Sequence, residues 1–178
     1  MKNLIILRGN SGSGKSSVAK KLRHTLAQNV LLVEQDVVRI DMLAIKDHEN
    51  NLAINLIKEI VLYGFEHCET VILEGILSTK NYEAMLQQLI TAPNVKTHAY
   101  YFDVPFEETV RRHAIREKSS IFTEEDMRRW WHEKDLLHII QETIIDEHSS
   151  LEQSVEQIIY QLYDRAKIKN VNTSPSNV

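Results

Sequence analysis

The amino-acid sequence predicts an α/β protein: an open, doubly wound, five-stranded parallel sheet with helices on both faces. Three observations predict it. Short β-rich runs alternate with helical patterns along the chain, as βαβ units require. The first strand run is continuously apolar rather than alternating, as a strand buried on both faces must be. The strand runs also end in acids or glycines, and in such sheets ligands bind beyond the carboxyl ends of the strands. With 178 residues, 43% apolar and 26% charged, the chain is long enough for one self-sufficient core.

Each element has its own signal. Leu4-Ile5-Ile6-Leu7 is the first strand, and Val18, Leu22 and Leu26 mark a helix from Lys15 to about Ala27. Val30-Leu31-Leu32-Val33 forms the second strand, running out into Glu34-Gln35-Asp36. Leu52, Leu56, Ile60 and Tyr63 make one face of a helix that stops near Gly64. Val71-Ile72-Leu73 is the third strand, followed by Glu74-Gly75 and a helix carrying Tyr82, Met85, Leu86 and Leu89. The fourth strand runs from about Thr97 to Phe102 and ends at Asp103, after which Pro105 opens a helix in its first turn. Thr123-Glu124-Glu125-Asp126 caps a helix through Trp130 and Lys134. Thr143-Ile144-Ile145 is the fifth strand, and Ser150-Leu151-Glu152-Gln153 caps a last helix with Leu151, Val155, Ile158 and Leu162 on one face. Residues 169–178 carry no apolar period and read as a flexible tail.

Composition excludes several classes. The net charge is −4, so bulk electrostatics give no reason to expect nucleic-acid binding. One cysteine, Cys68, allows no internal disulfide and fits a reducing, cytoplasmic setting, where it reads as a buried small hydrophobe. No apolar run approaches the roughly 20 residues of a membrane span, and the N-terminus lacks the pattern of a secretory signal. Eight histidines are present, without the His-Glu-x-x-His string or the Cys/His cluster of a zinc site.

Chemistry concentrates where glycine does. Gly9, Gly12 and Gly14 are three of only five glycines. The segment Gly9-Asn10-Ser11-Gly12-Ser13-Gly14-Lys15-Ser16 fits the G-x-x-x-x-G-K-[ST] phosphate loop, with the strand before it and helix after it that the motif needs. At average composition a random chain of this length matches well under about 1% of the time. Such a loop wraps a polyphosphate in backbone N–H groups at φ/ψ values glycine reaches freely, and a helix N-terminus behind it favours anions. The cofactor-binding set is therefore Gly9, Asn10, Ser11, Gly12, Ser13, Gly14, Lys15, Ser16 and Ser17. Lys15 is expected to reach the β- and γ-phosphates of a nucleotide, and Ser16 to ligate Mg²⁺.

With no Asn-Lys-x-Asp guanine reader and no Asp-x-x-Gly switch, the chain instead resembles the P-loop small-molecule kinases. It resembles above all the uridine-kinase-like and the zeta-toxin or chloramphenicol-phosphotransferase-like branches. The resemblance covers Leu4 to about Ala166. It implies a P-loop NTPase fold, with a kinase domain over residues 1–168 and a lid over about 111–129. It further implies transfer of the γ-phosphoryl group of ATP, with Mg²⁺, to a hydroxyl of a small-molecule acceptor such as a nucleoside, sugar or antibiotic. A regulatory switch with slow ATP hydrolysis, or a toxin-like nucleotide-sugar kinase, is the alternative. Adenine over guanine rests on the same analogy, and the oligomeric state is open.

The resemblance also distributes roles. The acid after the second strand faces the acceptor hydroxyl in such enzymes, here Asp36, with Glu34 its rival and Arg39 beside it for substrate; the plain alternative is an Asp36–Arg39 ion pair. At the third strand Glu74-Gly75 stands where relatives carry Asp-Gly, which makes Glu74 the metal-supporting acid, ranked above Asp103. Lid arginines neutralise the transferring phosphoryl group, here Arg112 and Arg116, four apart and so on one helix face. Ion pairs Glu107–Arg111 and Glu108–Arg112, each four apart on a solvated helix, are the competing reading. His113 reads as a surface histidine. Trp130 and Trp131 read as packing residues, and since adjacent helical positions diverge by about 100° at most one of them faces a pocket.

Overall fold

A computed structural model of the protein describes residues 1–26, 28–115 and 123–171, and for 164–171 the backbone alone. The five strands are β1 (Lys2–Gly9), β2 (Val30–Glu34), β3 (Thr70–Gly75), β4 (Val95–Asp103) and β5 (Thr143–Asp146). They pair in the order β2-β3-β1-β4-β5, every pair parallel. All five predicted strands are present, each one to four residues longer than its apolar run. The polar residues at their ends, such as Glu34 and Glu74, still pair in register.

Successive residues of β1 serve opposite faces. Leu4 and Ile6 enter a core with Ala53, Ile57 and Val61 of α2 (Leu52–His67) and Tyr82, Leu86 and Leu89 of α3 (Thr79–Ile90). Ile5 and Leu7 enter the other, with Val18 and Leu22 of α1 (Lys15–Leu26) and Val155, Ile158 and Leu162 of α6 (Leu151–Val171). All four β1 residues are fully buried, which is why that strand shows no alternation. Leu151 of the predicted α6 face is at the margin, 36% exposed. The helix runs to Val171, past the predicted tail boundary, and residues 172–178 lie outside the described residues.

One helix face is corrected. The predicted stripe Leu52, Leu56, Ile60, Tyr63 is not what α2 buries: Leu52 is 70% and Tyr63 63% exposed. The buried stripe is Ala53, Ile57, Val61 and Gly64, one residue on. Both stripes are apolar, and small residues decide between them. A Cβ on Gly64 would lie 2.7 Å from side-chain carbons of both Leu31 and Val71, so only the glycine face lets α2 approach the sheet this closely.

Beyond β4, α4 spans Phe106–Ala114 and α5 spans Glu124–Arg129. The predicted cap of α5 forms as a reciprocal pair: Thr123 Oγ1 accepts from Asp126 N, and Asp126 Oδ2 accepts from Thr123 N. The helix stops at Arg129 rather than continuing to Lys134, which adopts φ +47°. Ser150 and Gln153 cap α6 in the same reciprocal way. Cys68, expected to be buried, is half-buried at the end of α2 and closes that helix through its N–H to Gly64 O.

Candidate active site

The loop between β1 and α1 starts where the strand can no longer carry side chains. A Cβ on Gly9 would lie 2.7 Å from Phe102 O, and one on Gly12 2.7 Å from Thr109 O; both residues have positive φ, +138° and +81°. The cradle thus depends on glycine at these positions both sterically and conformationally. Lys15 is 6% exposed, and its Nζ donates to Asn10 O at 2.8 Å and to Ser13 Oγ at 3.4 Å. Ser16 Oγ donates to Glu74 Oε1 at 3.0 Å, bringing together the two residues predicted for the metal. Burial pushes the Glu74 carboxyl above its ordinary value, with Lys15 and then Ser16 pulling it back. Asp103, its rival, is ion-paired with Lys134 at 3.6 Å instead.

Two hollows flank the loop. The larger is a cleft of about 1540 Å³ lined by Lys15, Ser16, Asp36, Arg39 and Glu74, so the predicted acceptor and metal residues share one space with the phosphate loop. Asp36 precedes a π-helical segment, Val37–Met42, and its Oδ1 accepts from Arg39 Nη2 at 2.9 Å. The simple ion pair foreseen for these two residues is therefore real, on the cleft wall. Arg39 also donates to Ile45 O at 3.1 Å. Gln35, between Glu34 and Asp36, is buried and accepts from Leu77 N at 3.0 Å. It fits because Gly75 has no side chain, since a Cβ there would lie 2.3 Å from Gln35 Oε1.

The smaller hollow, about 390 Å³, lies on the other flank and is lined by Ser13, Gly14, Phe102, Arg112, Ile145 and Glu147 among others. Arg112, predicted to reach the transferring phosphoryl group, stands here rather than in the cleft. It donates to Ser13 O at 3.1 Å, Glu147 O at 2.8 Å and Glu108 Oε1 at 2.7 Å, bridging the phosphate loop to the turn after β5. Glu108 takes both Arg111 and Arg112, and Arg111 beside it, with Arg112, holds its carboxyl down at about 2. Arg116 lies outside the described residues. His113, expected at the surface, is 7% exposed and lines the cleft, because α4 turns that side toward the loop. The tryptophans, both past the end of α5 rather than in a helix, divide: Trp130 lines the cleft, and Trp131 packs edge-on against Phe106 at 5.1 Å.

One residue given another role by the sequence, Asn10, and one it missed, Arg8, hold the segment after α5 against the loop. Asn10, predicted to bind the cofactor, spends its side chain on the protein's own backbone. Its Nδ2 donates to His132 O at 2.6 Å and its Oδ1 accepts from His132 N at 2.9 Å. Arg8, the last side chain before the loop, is fully buried. It donates to Leu77 O at 3.0 Å, to both oxygens of Glu142 at 3.1 and 2.9 Å, and to Asp135 at 2.9 Å. The available signal was a charge placed directly after the apolar run Leu4–Leu7 and before the loop. Asn10→Ala removes both bonds of a peptide clamp and is expected to cost about 1–3 kcal/mol. Faster amide exchange at His132 together with a lower urea midpoint checks this.

Residues 4–135 match the model of the AAA domain family. No curated protein matches the chain. Among solved structures it is similar to the APS kinase of Mycobacterium tuberculosis in complex with AMPPNP and APS: 16% identity, TM-score 0.65, covering 90% of this chain and 97% of that one. It is also similar to a gluconokinase from Sinorhizobium meliloti, at 14% identity and TM-score 0.63 over 97% of this chain and 98% of that one. A sugar kinase from Janibacter gives 17% identity and TM-score 0.63 over 91% and 94%. At these identities the likeness is one of fold, a P-loop kinase fold. Among the described residues no helix is long and apolar enough to cross a membrane.

Proposed function

The chain belongs to the AAA domain family, and from that premise we propose that it is an ATP- and Mg²⁺-dependent kinase phosphorylating a hydroxyl of a small molecule in the cytoplasm. One observation carries the reading: Lys15, the Ser16–Glu74 pair and Asp36 line a single cleft, while a second hollow opens on the other flank of the phosphate loop. A module that only bound and slowly hydrolysed ATP has no use for an acid positioned as Asp36 is. The fold shared with kinases of APS, gluconate and sugars supports the same reading.

In this reading the nucleotide's base and ribose occupy the smaller hollow, and Arg112 braces the loop from that side. The loop amides and Lys15 hold the phosphate tail. Ser16 and Glu74 supply a hydroxyl and a carboxylate oxygen, the hard donors that suit Mg²⁺. The ion, when bound, offsets charge on the phosphates. Arg39 holds one oxygen of Asp36, and the other takes the acceptor's proton as the acceptor oxygen bonds to the γ-phosphorus and ADP leaves. In the same reading Arg116 completes the charge neutralisation.

The test is ADP release with ATP and magnesium, with and without a panel of hydroxyl-bearing acceptors. Acceptor-dependent stimulation is expected. Asp36→Asn is expected to remove it by about 10²–10⁴-fold while ATP affinity is kept. Turnover indifferent to every acceptor and to Asp36 would favour the switch.

A further inference from the structure

The cleft contains carboxylates that the transfer chemistry does not use, and one of them is held by neutral groups alone. Asp47 lies on its wall and is held by four neutral donors. Tyr82 Oη and Asn51 Nδ2 each reach Oδ1 at 3.0 Å, Asn81 Nδ2 reaches it at 3.4 Å, and Gln35 Nε2 reaches Oδ2 at 3.4 Å. Tyr82, Asn51 and Gln35 are all buried. Burial, and more weakly Asp47 itself, push the Tyr82 hydroxyl up to about 12, so it stays a donor at any working pH. Among the described residues Asp47 has no salt bridge to a lysine, arginine or histidine. Neutral donors fix where a carboxylate sits without cancelling its charge, so an uncompensated acceptor of hydrogen bonds faces the space beside Asp36.

The cations of the same cleft are disposed in the opposite way. Lys20 pairs with Glu34 at 3.2 Å, Arg39 with Asp36 at 2.9 Å, Lys80 with Glu49 at 3.0 Å and Arg129 with Asp126 at 3.7 Å. Outside the phosphate loop, Lys46 is the one lysine or arginine lining the cleft that lacks a carboxylate partner among the described residues. Apart from Lys46, an acceptor bearing phosphate, sulfate or carboxylate would have to draw these cations from their partners while Asp47 repelled it. A hydroxyl or ammonium group meets no such cost.

Resting on the kinase reading above, we infer that the acceptor is a polyhydroxyl compound without acidic groups, a sugar or aminosugar. One of its hydroxyl or ammonium groups bonds to Asp47 while another is presented to Asp36. Asp47 thereby sets specificity, and Tyr82, Asn51 and Gln35 position it.

The experiment uses the full chain. Acceptor-dependent ADP release is measured with neutral sugars and polyols, aminosugars, sugar phosphates, aldonates, nucleoside monophosphates and 5′-hydroxyl oligonucleotides, and AMPPNP binding is followed separately by calorimetry. Stimulation is expected from neutral or amino members alone. Asp47→Asn should raise the acceptor KM by about 10–100-fold, the loss of a hydrogen bond to a charged group, with AMPPNP affinity unchanged and kcat far less affected. If Asp47→Asn does not fold, Tyr82→Phe keeps the carboxylate and removes one donor, and a KM rise of about 3–10-fold is then expected. Stimulation by anionic acceptors, or an unmoved KM in the variant, overturns the inference while acceptor-dependent turnover leaves the kinase reading standing; turnover that no acceptor stimulates removes both. Wild-type protein that fails to bind AMPPNP with magnesium removes both.

Discussion

Replacing Arg8 with methionine is expected to destabilise the protein by about 3–5 kcal/mol, the range for breaking a buried ion pair from one side. The guanidinium stands fully buried among Leu77 O, Asp135 and Glu142, and it lies 5.8 Å from the centre of the Tyr101 ring. Without it, two carboxylates with side chains 17% and 1% exposed face one another with no counterion, and a buried carbonyl loses its donor. Burial already pushes the Glu142 carboxyl up, against Arg8 pulling it down. Adding Glu142→Gln to Arg8→Met should therefore recover most of the loss. A urea titration of wild type, single and double variants reads this as midpoints that shift at constant slope. A double variant no more stable than Arg8→Met would show that lost packing, not stranded charge, sets the cost. The effect should extend to function, since Asp135 also accepts from Thr79 N, and Asn10 grips His132 three residues before it. The whole segment from Trp131 to Glu142 is thus fastened to the end of β1 from which the phosphate loop springs.

How much of this was legible in the sequence follows from how local each signal is. The loop could be read because glycine at positive φ, a lysine and a hydroxyl follow one another within eight residues, and nothing distant is needed to interpret them. The strands could be read because burial on both faces leaves continuous apolar runs. The α2 face could not, because two adjacent stripes are both apolar and the choice depends on Gly64 meeting Leu31 and Val71, contacts from other strands. Arg112 shows the same limit. Its spacing places it on a helix face, but whether that face meets the cleft or the hollow behind the loop depends on Ser13 O and Glu147 O, 99 and 35 residues away. Asp47 carries no motif at all. Its donors Gln35, Asn51, Asn81 and Tyr82 lie before and after it in the chain, and only the fold brings them together.

Lys15→Ala is expected to separate function from stability in the opposite sense to Arg8→Met. Its Nζ bonds to Asn10 O and Ser13 Oγ, atoms of the loop it belongs to. Losing these bonds and the offset Lys15 gives Glu74 should cost about 1.5–3 kcal/mol, less what is returned by removing a charge that is only 6% exposed. Acceptor-dependent transfer, in contrast, should fall by about 10³-fold or more, because a preorganised charge aimed at a developing one in a water-poor site is worth far more than a surface contact. Calorimetry should show AMPPNP binding weakened in parallel, in contrast to Asp36→Asn, which keeps the nucleotide. A Lys15→Ala protein that melted far below wild type would mean that the lysine clamps the loop rather than serving a phosphate. One that transferred phosphoryl groups at the wild-type rate would mean that another cation carries the charge, and Lys20 at the opening of the same cleft, held by Glu34 at 3.2 Å, would be the next residue to replace.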